Sequence, residues 1–166
     1  DGSCNVATKE GAFSVIVLGS AKSKNKKIER CCLGITCGFK ETTNNQMELK
    51  AFIRALEFAK EKQEKVKSVT IYSDSAYVVS GSTSWIYGWK LRNWTKDGKE
   101  PIKNKELWKK VDNLLKWANS SGMKLTIKKV KAHSGNIYNE LADKLAKAHL
   151  GIEAVSYNNL RLPRKA

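Results

Sequence analysis

The chain has 166 residues, of which 41% are hydrophobic and 28% charged, the profile of one globular domain long enough to bury a core without disulfide staples. Lys and Arg number 31 against 16 Asp and Glu, a net charge of +15. That balance excludes an acidic disordered tail and makes a polyanion the leading partner, nucleic acid before anionic membrane. No stretch approaches the ~18 apolar residues of a membrane span, and Asp1 opens without the basic and apolar regions of a secretory leader, so an intracellular, cytoplasmic protein is expected.

In chain order, residues 11–18 (Gly-Ala-Phe-Ser-Val-Ile-Val-Leu) read as a strand. Residues 19–30 are polar and basic and read as a hairpin loop with frayed strand ends, and 31–39 as the return strand. Residues 47–63 carry Leu49, Ile53, Leu56 and Ala59 at helical spacing. Val69, Ile71 and Ser73 alternate with Thr70, Tyr72 and Asp74, a strand ending at Asp74, and 75–81 read as a short helix. Leu107, Val111, Leu114 and Ala118 mark a further helix, 123–131 a strand, and 137–149 a last helix buried through Leu141, Leu145 and Ala148. Residues 151–166 read as an irregular basic tail. Hairpin first and β-α alternation after it imply a mixed sheet with helices packed on it.

Cys4, Cys31, Cys32 and Cys37 lack the two spaced ligand pairs of a structural zinc site. Cys31 and Cys32 are neighbours on a strand and point to opposite faces, so reduced, partly buried thiols are expected.

Four acidic residues stand where a sheet-based site would gather them. Asp1 opens the chain, Glu48 begins the first long helix, Asp74 ends an apolar strand, and Asp143 follows Asn139 by one helical turn. Converging carboxylates repel unless cations neutralise them, and oxygen-only ligands favour magnesium or manganese over zinc. Two such ions about 4 Å apart can activate water and stabilise the leaving oxygen of a phosphodiester. The same positions also suit plainer roles: Asp74 as a helix N-cap, Glu48 and Asp143 as solvated helix charges.

Several segments together resemble type 1 ribonuclease H. Thr42-Thr43-Asn44-Asn45-Gln46-Met47-Glu48-Leu49 is similar to the segment around that family's second catalytic carboxylate, and Tyr72-Ser73-Asp74-Ser75 to its third. Trp85-Ile86-Tyr87-Gly88-Trp89-Lys90, followed by Trp94, resembles its basic protrusion. Val130-Lys131-Ala132-His133-Ser134-Gly135-Asn136 and Asn139-Glu140-Leu141-Ala142-Asp143-Lys144-Leu145-Ala146 resemble its histidine loop and fourth-carboxylate helix. The likeness runs from residue 1 to about 150. Gln46 stands where the family often has Arg, and Asp1 matches a residue that in the family lies within a central strand, so strand residues upstream of it, or another segment, are expected to complete that strand.

The resemblance implies an α/β, RNase H-like fold with a mixed five-stranded sheet flanked by helices, a catalytic domain over 1–150 and a tail over 151–166. It implies a metal-dependent endoribonuclease that hydrolyses the RNA strand of RNA–DNA hybrids with two Mg2+ ions, or Mn2+, leaving 5′-phosphate and 3′-hydroxyl ends. Asp1, Glu48, Asp74 and Asp143 would bind the metals, and His133 would assist proton transfer or product release. Asn44, Asn45 and the backbone near Cys4 and Asn5 would read 2′-hydroxyls in the minor groove; Asn44 and Asn45 also suit a turn between strand and helix. Thr43 and Asn104 would grip a DNA phosphate, though Asn104 serves equally well as a helix N-cap. Trp85, Trp89, Lys90 and Arg92 would line the DNA-strand channel, whereas Lys22, Lys24, Lys26 and Lys27 read as a solvated face. Two further readings follow: a hybrid-binding module with an impaired site, and the RNase H domain of a reverse transcriptase polyprotein. The partner the resemblance implies is an RNA–DNA hybrid; a monomer and no membrane association are expected.

Overall fold

The computed structural model describes residues 1–22, 28–132 and 134–160, with the side chains of 20–22 and 28–31 left aside. The chain divides into two compact units, Asp1–Met47 with Ala132–Ala166, and Glu48–Lys131.

In the first unit, strands β1 (Gly2–Cys4), β2 (Gly11–Lys22) and β3 (Ile28–Phe39) follow one another antiparallel. The β2–β3 register runs unbroken from Gly11↔Phe39 through Val15↔Ile35 to Lys22↔Ile28. Most of the expected loop at 19–30 is therefore strand. Its polar composition hid this, because a hairpin ladder set in register by apolar pairs propagates outward through polar residues. Helix α5 (Ile137–Ala148, the fifth in the chain) lies against β2, β1 and β3, burying Ala142 and Ala146. The buried Ser14 hydroxyl donates to the Ala142 carbonyl. Behind the helix, the 149–152 turn rests on Gly38, whose N–H donates to Ile152 O at 2.8 Å. A Cβ at position 38 would stand 2.2 Å from the His149 carbonyl oxygen, so only glycine allows this approach.

Residues 151–166 are not wholly irregular. Ser156–Asn159 form strand β6 (the last of six in chain order), antiparallel to β3, and Leu160 N donates to Cys32 O at 2.8 Å. The described strands make a four-stranded antiparallel sheet, ordered β1-β2-β3-β6, and a two-stranded parallel pair, the mixed α/β composition expected of an RNase H-like fold. β6 was missed because Ser-Tyr-Asn-Asn has neither alternation nor β-branched residues; its place comes from pairing with the long β3.

The second unit holds that parallel pair, β4 (Ser68–Ser73) and β5 (Lys124–Lys129), in register Val69↔Leu125 and Ile71↔Ile127. Helix α1 (Asn44–Glu61) presents Leu49, Phe52, Ile53 and Leu56 to a core completed by Ile71, Val78, Ile86, Ile102, Trp108 and Val111. After β4 come α2 (Ala76–Ser80), a π-helical turn (Gly81–Trp85) and α3 (Ile86–Leu91); right-handed helical backbone at Ser80, Gly81, Trp85 and Ile86 carries each into the next. Such π turns cluster at functional sites. Helix α4 (Lys105–Ser121) follows, closed by Gly122 in the left-handed region. No helix of the described residues is long and apolar enough to cross a membrane.

Candidate active site

Asp1 is held by pairing with β2: its N donates to Ser14 O at 2.7 Å and Ser14 N returns the bond to Asp1 O at 2.8 Å. Glu48 sits on α1 and Asp74 directly after β4. The three carboxylates, each half-buried, could hold a metal ion, since one oxygen of each lies within 4.8 Å of the others. The group contains neither His nor Cys, so its chemistry suits a hard divalent cation. The N-cap role open to Asp74 belongs to its neighbour: Ser75 Oγ accepts from Val78 N at 3.2 Å and caps α2.

Asp143 is not in that group. It lies on α5, half-buried, and pairs with Lys147 at 2.9 Å, one turn along the helix. His133 lies outside the described residues. Beyond its loop, Asn136 caps α5 by accepting from Tyr138 N and Asn139 N, each at 3.1 Å.

Asn44 and Asn45 occupy the first turn of α1 and are exposed. The turn-forming role weighed for them falls to others: Thr43 Oγ1 accepts from Gln46 N at 3.2 Å, while Thr42 Oγ1 donates to Gln46 Oε1 at 3.0 Å. Thr43 is thus a capping residue as well as an exposed hydroxyl. Asn5 is largely occupied by the turn after β1. Its Oδ1 accepts from Ala7 N and Thr8 N, its N donates to Glu10 O, and its O accepts from Lys9 N. Cys4 differs: between the bonded pairs of an antiparallel ladder, the intervening residue turns its N–H and C=O away from the partner strand, so the Cys4 backbone faces away from β2. The Cys4 thiol donates to Thr42 O at 3.4 Å, and burial pushes its pKa up. Cys4 and Cys37 are half-buried and Cys32 is buried.

In the second unit the expected protrusion residues separate into two sets. Trp85 is 45% exposed, while Trp89 packs against the core. Trp85, Trp89, Trp108 and Tyr77 form a chain of ring contacts with centroids 5.0–6.3 Å apart. Arg92 is exposed, but Lys90 is not a freely solvated cation: its ammonium pairs at 3.1 Å with the buried carboxylate of Asp112, which also holds Lys116 at 3.0 Å. Asp112 was not singled out from sequence. The signal was there, an acid among four lysines of α4 one turn before Lys116, but its burial was not. Asn104 occupies the N-cap position of α4 yet does not cap it. It adopts the left-handed conformation (φ 58°, ψ 34°), and its Nδ2 donates instead to Tyr77 Oη at 3.1 Å. Tyr77, also unforeseen, carries no sequence signal beyond its place after Asp74.

The loop beyond α3 is pinned by Asp97, whose Oδ1 accepts from Glu100 N and Lys99 N at 3.0 Å. Those two backbone bonds hold its carboxyl below the usual carboxylate range.

Comparison with known proteins places this geometry. The RNase H family model matches residues 1–150. The ribonuclease H of Ehrlichia ruminantium is 39% identical over 150 residues, covering 90% of each chain. That of Clostridium botulinum is 41% identical over 153 residues, covering 88% of this chain and 89% of its own. Among solved structures, a type 1 RNase H with the type 2 active-site motif superposes with a TM-score of 0.74 at 26% identity, over 96% of this chain and 74% of that one. A foamy viral protease–reverse transcriptase solved with an RNA/DNA hybrid shares the fold, at a TM-score of 0.57 and 18% identity over 88% of this chain and 21% of that one.

Proposed function

The chain belongs to the RNase H family and is a ribonuclease H, and from that premise we propose that it hydrolyses the RNA strand of RNA–DNA hybrids internally, leaving 5′-phosphate and 3′-hydroxyl ends. The observation that carries the reading is the carboxylate group of Asp1, Glu48 and Asp74 in a protein whose net charge is +15. A strongly basic chain that gathers acids at one place has gathered them for cations, not for its polyanionic substrate.

Asp1, Glu48 and Asp74 would hold the ions, and Asp143 would join them on giving up its partner Lys147. Two bound Mg2+ or Mn2+ ions would supply the activated water and the stabilisation of the departing 3′-oxygen. A P–O bond to water forms as the P–O3′ bond breaks, and the 3′-oxygen takes up a proton, to which His133 contributes as a proton carrier or in product release. Asn44 and Asn45, exposed on α1, and the Cys4 backbone amide hydrogen-bond to 2′-hydroxyls of the RNA strand. Of Asn5, the side-chain Nδ2 is the group not drawn into its own turn. Trp85, Trp89 and Arg92 pack on and pair with the DNA strand, with Lys90 contributing through its hold on Asp112. Thr43 and Asn104 each offer a polar group to a DNA phosphate.

Metal chemistry alone would cut any phosphodiester, so selectivity comes from the hydroxyl readers. A site that loses two or three hydrogen bonds, each about 1–3 kcal/mol, discriminates by several powers of ten. The test compares hybrid, duplex DNA and duplex RNA of one sequence with magnesium, and identifies the product ends by their response to phosphatase and ligase. Cleavage confined to the RNA of the hybrid, with ligatable ends, is expected. Similar rates on all three duplexes would refute the selectivity mechanism, and tight hybrid binding without product would point to an impaired, binding-only module.

A further inference from the structure

Tyr77 accepts two hydrogen bonds on one oxygen, from Asn104 Nδ2 at 3.1 Å and from Trp108 Nε1 at 3.0 Å. A phenol oxygen has two lone pairs and one hydrogen. With both lone pairs taken by N–H groups, the hydrogen points away from them, and among the described residues none accepts it. The ring itself cannot swing: it lies edge-on to Trp108 at 5.4 Å and against Trp85 at 6.3 Å, and Trp108 is fully buried. The hydroxyl is therefore a donor aimed by its surroundings.

Asn104 is placed with equal care. A residue serving only to cap α4 would take extended backbone and bond its side chain to the first turn. Asn104 does neither; its backbone is left-handed, and its amide is turned back onto Tyr77. The second Nδ2 hydrogen of that amide is left to point elsewhere, beside the Tyr77 hydroxyl. Two neutral donors, both partly solvent-accessible, stand side by side at the start of a helix that favours negative charge.

We propose that Tyr77 is a positioning residue and the second donor of a phosphate pocket shared with Asn104: its oxygen fixes the amide, and its hydroxyl hydrogen bonds to a non-bridging oxygen of one DNA-strand phosphate. The inference rests on the assignment of Asn104 to a DNA phosphate under the proposed function and extends it to a residue the family resemblance did not indicate. Because both donors are neutral, they release no counterions. Their removal weakens binding without changing how affinity depends on salt, unlike the loss of a lysine or arginine.

The experiment measures hybrid affinity by fluorescence anisotropy without divalent cation, for wild type, Tyr77→Phe and Asn104→Ala, using hybrids with a single methylphosphonate at successive DNA-strand positions. Tyr77→Phe keeps the ring and its contacts, and its unfolding curve is recorded alongside. It is expected to weaken binding to the unmodified hybrid about tenfold with an unaltered salt slope, to raise KM more than it lowers kcat, and to lose nothing further at the one position where wild type is most penalised. A Tyr77→Phe penalty that persists in full at every position, or no penalty at all, would overturn the inference. The Asn104→Ala series tells which layer failed. If it couples to one phosphate while Tyr77→Phe does not, the Tyr77 role is wrong and the pocket stands; if it couples to none, the pocket assignment has failed first.

Discussion

Replacing Gly81 with Ala pits two known effects against each other. Gly81 sits in right-handed helical backbone, where alanine is favoured over glycine by about 1 kcal/mol. On backbone grounds alone the variant would be more stable. The structure reverses the sign. A Cβ at position 81 would lie 2.1 Å from Trp108 Cη2, 2.5 Å from Cζ2 and 3.0 Å from Cζ3. Relief needs a shift of roughly an ångström, and Trp108 is fully buried, bonded through Nε1 to Tyr77 and packed at a tilt against Trp89 with centroids 5.0 Å apart. Overpacking of this kind costs typically 1–3 kcal/mol, and losing the indole's hydrogen bond adds about 1–3 more. After the backbone gain, a net loss of about 2 kcal/mol is expected. In a chain of this size that corresponds to a fall in Tm of about 4–8 °C. Urea and thermal unfolding followed by tryptophan fluorescence would measure it. Trp108→Phe in the same background should recover part of the loss, so that the double variant is less destabilised than the sum of the singles. Gly81→Ala as stable as wild type, or more so, would refute the packing argument.

Asp112→Asn should release Lys90 and Lys116 to solvent; both are already substantially exposed, so the stability loss should be only about 1 kcal/mol, while the salt dependence of hybrid binding steepens by up to ~0.9 for one added phosphate contact. A slope that stays flat would show that Lys90 does not reach phosphate even when unpaired. Asp97 should titrate below ordinary aspartates in carboxyl NMR. Because its folded pKa is depressed, its contribution to holding the 97–100 turn is present above the unfolded pKa and is lost as pH falls through the lower folded value, and the Lys99 and Glu100 amide signals should move in step. A pKa at or above the ordinary range would contradict the two backbone bonds. Asn45→Ala should reduce hybrid cleavage by about 5- to 150-fold, the worth of one lost hydrogen bond, while metal binding measured by calorimetry is unchanged. An equal loss of metal affinity would move Asn45 out of substrate recognition.

Much of the fold was legible because its periodicities are strong. Leu49, Ile53 and Leu56 on α1, and Leu107, Val111 and Ala118 on α4, mark their helices without any structure. What the sequence hid is what depends on partners distant along the chain. The outer ends of β2 (from Gly19) and β3 (up to Arg30) and most of β6 are polar, and are strands only because a ladder is already in register beside them. The carboxylates of Asp1, Glu48 and Asp74 could be named from position and family motif, but not their closeness, which depends on three separate elements. Lys90, Asp112, Asn104 and Tyr77 show the opposite limit. Composition counts Lys90 as one more cation for nucleic acid, and only packing reveals the buried acid that holds it. Spacing makes Asn104 a cap, and only its backbone and its bond to Tyr77 show that it is not.

On the proposed function, Asp1, Glu48 and Asp74 make this chain a metal-dependent nuclease. Asp74→Asn keeps the size and shape of the side chain, leaves the Ser75 cap of α2 in place and removes one negative charge from the group. Cleavage of a labelled RNA–DNA hybrid would be followed for wild type and variant across a magnesium titration. Wild-type cleavage should require magnesium, and the Asp74→Asn chain should fold and bind hybrid but cut at least roughly a hundredfold more slowly, about 3 kcal/mol in the barrier. Equal cleavage by both proteins, with or without magnesium, would contradict that function.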